Sequence, residues 1–153
     1  MSMSLIAIWG VLNLFLSVFS VQKIRRNKGK CNFIYLWGFV MGAFVWEDML
    51  VLGILHAVIA FISVALNNSI LWLVGFLVFW VVRSAGETLY FFLQQFVVPS
   101  HHPHNITTHF TVLRKLFGGI SDQKCFIILQ VSMQAVLTLS LFSLIYILKN
   151  FSL

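Results

Sequence analysis

The sequence predicts an all-α integral membrane protein. Its four transmembrane helices leave both termini outside, spans two and three form a central long helix hairpin, and a short amphipathic helix lies in the second cytoplasmic loop. Three observations lead there. First, 60% of the 153 residues are hydrophobic and only 9% are charged. An average globular chain is roughly 45–50% apolar and about 25% charged. A soluble domain of this size has too little interior to hide so much apolar surface, and a bilayer removes the need. Second, the apolar residues fall into four runs, and a span requires about 20 such residues. Third, the basic residues gather between runs. Lys23, Arg25, Arg26, Lys28 and Lys30 share one linker, Arg114, Lys115 and Lys124 share another, and only Arg83 and Lys149 stand elsewhere. Lys and Arg accumulate on the cytoplasmic side, so both linkers belong inside. The chain reads as one polytopic domain over 1–153, in the cytoplasmic (inner) membrane.

The first span covers 3–21. No basic residue precedes it and the charges follow it, the reverse of a cleaved signal peptide, so it is expected to be retained. Asn13, its polar residue near the middle, is expected to make a hydrogen bond between helices. Residues 22–32 form the first inner loop, whose charge also suits anionic lipid headgroups. The formal net charge of +6 is thus a topology signal. No soluble domain presents a surface to bases, and no nucleic acid partner is expected.

The second span, 33–66, is too long for one helix perpendicular to the bilayer. It either tilts, kinks or extends past the membrane, or it is two pieces, with 33–46 dipping partway and 49–66 crossing. Gly38, Gly42 and Ala43 suggest a small-residue face for close helix contact. Asn67-Asn68-Ser69 is a tight external turn, and the third span, 70–98, returns antiparallel. The second inner loop, 99–124, opens with HHPHNITTHF. Thr107 or Thr108 can cap a short amphipathic helix through Phe117, which Gly118-Gly119 ends. Ser121 caps the fourth span, 125–148, with Asp122 in its first turn where the helix dipole favours it. Cys31 and Cys125 form no CxxC pair and read as reduced thiols.

Ionisable residues inside a span are unfavourable and mark functional sites. Arg83, Glu87, Tyr90 and Gln94 fall at i, i+4, i+7 and i+11, one stripe of a helix. Glu47 and Asp48 precede the Asn68 turn by 21 and 20 residues, and Glu87 follows it by 19. Both helices rise about 1.5 Å per residue, so these carboxylates share one depth, with Arg83 one turn further out. Gln130 and Gln134 belong to a polar stripe of the fourth span at a similar depth. Together these eight residues outline a polar pocket. Arg83 pairs one carboxylate, and the rest must take a proton, a cation or a positive group.

The leading expectation is therefore a carrier or receptor for a cation or small molecule, with a protonatable carboxylate. A membrane-embedded metalloenzyme is the alternative, with Glu47, Glu87, His104 and His109 as ligands of a divalent transition metal, since imidazole and carboxylate suit such ions. An accessory subunit of a membrane complex is a third reading, and a homodimer remains open. His56, alone on an apolar stretch, reads as a histidine packed and satisfied between helices.

Overall fold

The computed structural model describes residues 2–27, 40–97 and 110–150. Regular structure there is helical. The elements are α1 (Met3–Asn27), α2 (Trp46–Ala65), α3 (Ser69–Gln94), α4 (Thr111–Leu116) and α5 (Asp122–Asn150). All but α4 are long and apolar enough to cross a membrane. Their surfaces are inverted relative to a soluble bundle. Ile8, Val11 and Phe15 on α1, Val51 and Val58 on α2, and Leu139 and Phe142 on α5 are exposed, while Asn13, Ser17, Ser20, His56, Ser63 and Ser84 are buried. Water would penalise that outer face, and lipid does not. Several buried hydroxyls bond their own helix. Ser63 donates to the Ile59 carbonyl at 2.7 Å and Ser20 to that of Ser17 at 2.6 Å, which satisfies them without a partner helix.

The second apolar run does not form one long helix over 33–66. Val40 and Met41 are helical, Gly42 takes φ +68, and the chain stays out of helix until α2 begins at Trp46. Only glycine adopts that backbone region without strain. Gly42 therefore breaks the helix, where a small-residue helix face was expected of it; Gly38 lies outside the described residues. The first helix also outruns its expected end at 21. It continues to Asn27 with Arg25 and Arg26 in its last turn, where the dipole favours cations.

The hairpin turn forms as expected. Asn67 is left-handed at φ +50, and the Asn68 side chain caps α3 by accepting from the backbone N–H groups of Ile70 and Leu71 at 3.0 and 3.1 Å. Ser121 caps α5 through the Lys124 N–H at 3.4 Å. Gly118 and Gly119, both at positive φ, end α4. The Gly119 N–H reaches back to the Arg114 carbonyl at 2.7 Å. Arg114 pairs with Asp122 at the start of α5.

The helices lie more nearly in a row than in a closed ring. α1 packs along α2 and α3 along α5, α2 meets α3 much more sparingly, and α1 barely reaches α3. The α1–α2 contact is close because its residues are small. A Cβ built on Gly53 would stand 2.2 Å from Ser17 Oγ and 2.9 Å from the Asn13 carbonyl oxygen. Ser17 donates to the Asn13 carbonyl at 2.9 Å and reaches the Met49 carbonyl across the interface at 3.4 Å. Asn13 does not make the expected bond between helices. Its amide nitrogen donates to the Trp9 carbonyl of its own helix at 2.8 Å.

Candidate functional site

The charged residues of α2 and α3 meet beside the Gly42 break. Asp48 occupies the first turn of α2, and its Oδ2 accepts from the Phe44 N–H at 3.3 Å. That bond fixes the carboxylate over the helix start, where the exposed N–H groups favour it. Arg83 approaches from α3. Its Nη2 lies 2.6 Å from Asp48 Oδ2 and 2.7 Å from Glu87 Oε1, and its Nε donates to the Gly42 carbonyl at 2.9 Å. One guanidinium thus joins two carboxylates and the broken backbone. Arginine suits this position because its donors point along fixed directions.

The Arg83 guanidinium stands 5.9 Å from the centre of the Phe44 ring. Phe44 in turn meets Phe91 edge-on at 6.2 Å. Behind them Phe91, Phe110, Cys125, Phe126, Leu129 and Met133 form a buried cluster, with Tyr90 packed against it. The charged group therefore rests on an aromatic floor. Arg83 and Asp48 keep about a quarter of their side-chain surface accessible, at 25% and 28%, and Glu87 keeps 12%. With all three ionised, the group carries one excess negative charge, partly withdrawn from solvent.

The structure brings together Asp48, Arg83 and Glu87 and sets Tyr90 in the floor beneath them. Glu47 is exposed and turned away from this group. Successive helical residues point about 100° apart, so Glu47 and Asp48 cannot both face α3. Gln130 accepts a hydrogen bond from the Gln95 side chain. Gln95 lies eight residues beyond Glu87, about 12 Å along the axis by helical rise, so this contact is separate from the Arg83 group. Gln94 is half-buried and Gln134 is exposed on α5. His104 and His109 lie outside the described residues. Among the described residues, no three His, Cys, Asp or Glu side chains group to hold a metal ion.

Two members of the charged group, and the partner of Gln130, are not singled out by the sequence. Gly42 and Phe44 enter because the helix breaks there, and a glycine in an apolar run does not announce a break. Gln95 stands beside Gln94, and nothing in the sequence favours one over the other. The fold and this group define a class, a helical protein built for the membrane. The chain matches no protein-family model, no curated protein and no solved structure.

Proposed function

We propose that the chain is a membrane-embedded carrier or receptor whose site is the Asp48–Arg83–Glu87 group. The supporting observation is the charge count at one contact. Arg83 neutralises one carboxylate equivalent while touching two, at 2.6 and 2.7 Å. The remaining negative charge takes a proton or a cation, including the positive group of a small organic molecule. The buried aromatic cluster beneath the group keeps water from that side, which strengthens the hold of the remaining charge on a cation. In this reading both termini are outside and the basic segments 22–32 and 99–124 lie in the cytoplasm, with 22–32 against anionic headgroups of the inner membrane. The protein works as a single chain or as a homodimer.

The test uses proteoliposomes loaded with a pH-sensitive dye and an imposed proton gradient. Alkali cations and small organic ammonium ions are added one at a time. Wild-type protein dissipates the gradient with at least one of them. Glu87→Gln and Asp48→Asn slow that flux at least tenfold while melting near the wild-type temperature. If no cation moves protons, a direct binding titration with the same ions separates a receptor from a structural ion pair. Metal content, measured on protein purified without chelator, tests the metalloenzyme reading with His104→Ala and His109→Ala variants. Co-purification of a stoichiometric second protein, unaffected by Glu87→Gln, favours the accessory subunit.

A further inference from the structure

Nearer the hairpin turn, α1, α2 and α3 enclose a second polar group unrelated to the charged one. Gly10 of α1 meets Ala60 of α2, and Ser17 meets Gly53. Each step forward on α1 is therefore a step back on α2, which puts Asn13 level with His56 and Ala57. Trp9, one turn before Asn13, sets its ring edge-on to His56 at 6.1 Å and to Phe76 of α3 at 6.4 Å. His56 also packs against Phe79 at 4.5 Å. Asn13 is wholly buried and His56 is 2% exposed.

Three atoms of this group are buried without a hydrogen-bond partner among the described residues: Trp9 Nε1, Asn13 Oδ1 and His56 Nε2. The expectation that His56 would be satisfied between helices is thus met on one ring nitrogen only. Its other nitrogen lies toward the Met41 backbone. A backbone carbonyl accepts, so Nδ1 carries the proton and Nε2 presents a bare lone pair. Asn13 spends its amide nitrogen on the Trp9 carbonyl at 2.8 Å, which leaves its oxygen as acceptor only. Indole N–H is donor only. The group therefore offers one donor and two acceptors.

We infer that Trp9, Asn13 and His56 form a binding site for one water molecule. Water is the hydrogen-bonding complement of this set: it accepts from Trp9 and donates to Asn13 and His56. A ligand hydroxyl has one O–H and would leave an acceptor open. Buried waters usually make about three such bonds, and a polar group left unbonded in an apolar interior is strongly disfavoured. Phe76 and Phe79 close the α3 side of the group, so the water exchanges slowly with bulk.

The experiment is solution NMR on full-length protein in deuterated detergent, with the indole nitrogens of the five tryptophans labelled. Loss of one signal in Trp9→Phe assigns the Trp9 indole proton. A water-selective spectrum of the wild type then shows a cross-peak between that proton and water, with the opposite NOE and ROE signs of a long-lived molecule. Ser17→Ala excludes relay through the neighbouring hydroxyl and leaves the peak unchanged. Asn13→Leu and His56→Leu each weaken the peak at least threefold; if one does not fold, the other serves. Absence of the cross-peak in wild type, or a peak unchanged in a folded acceptor variant, overturns the inference.

Discussion

Replacing Arg83 by Gln tests the charged contact most directly. The change removes the donor shared at 2.6 and 2.7 Å by Asp48 and Glu87 and the 2.9 Å bond to the Gly42 carbonyl. Two like charges are left facing one another on adjacent helices. Removing one partner of a fully buried ion pair destabilises by about 3–5 kcal/mol. Exposed pairs contribute about 0–1 kcal/mol. With side chains 12–28% accessible, the buried limit is nearer, and a loss of roughly 2–3 kcal/mol follows. On the scale of soluble chains of this size, that is a fall of about 5–10 °C in midpoint. Arg83→Lys should recover part of it, because an ammonium serves the carboxylates but cannot also reproduce the Nε bond. The combination of Arg83→Gln, Asp48→Asn and Glu87→Gln should return to within about 1 kcal/mol of wild type, since no unpaired charge remains. Thermal unfolding in one detergent, followed by tryptophan fluorescence, ranks the four proteins. Arg83→Gln melting with the wild type, or the neutral triple variant melting below the single one, would refute the charge reasoning.

Two further outcomes follow from packing. Gly53→Ala should destabilise by about 1–3 kcal/mol despite the better helix propensity of alanine, because the Asn13 carbonyl cannot rotate away from the new methyl; the same melting assay checks it. Cys125 is fully buried, so in a Cys31→Ser background a maleimide reagent should modify it at least tenfold faster in SDS than in mild detergent, as read by mass spectrometry.

Much of the fold is legible in the sequence because lipid imposes simple lengths and charges. The Asn67-Asn68 turn and the Arg83–Glu87 stripe depend only on local chemistry, and both appear where the sequence puts them. Equal spacing from the turn also places Asp48 level with Glu87, 20 residues before and 19 after Asn68, since a helical rise is nearly constant. The remainder depends on which way each helix is rolled and where it breaks. Glu47 and Asp48 are neighbours with the same chemistry, and roll alone separates the exposed one from the one in contact. Gly42 breaks a helix while Gly53 lets two helices touch, yet both stand in apolar surroundings. Gln134 shares a stripe with Gln130 and still faces outward, because α5 meets only α3 closely in the row.

That row has a mechanical side. α1 with α2 and α3 with α5 form two leaves, each tight within itself, joined through the turn at Asn67–Asn68. Asp48 and Arg83 grip one another some 22–30 Å from that turn by helical rise. With an arm that long, parting the grip by about 3 Å swings the leaves by only about 7°. Such a swing disturbs few contacts, because α2 and α3 share few to begin with. At the far end the Arg83 guanidinium latches one leaf to the other through Asp48, beside the Phe44–Phe91 ring contact, and the hold of that latch depends on the charge of the carboxylate it grips.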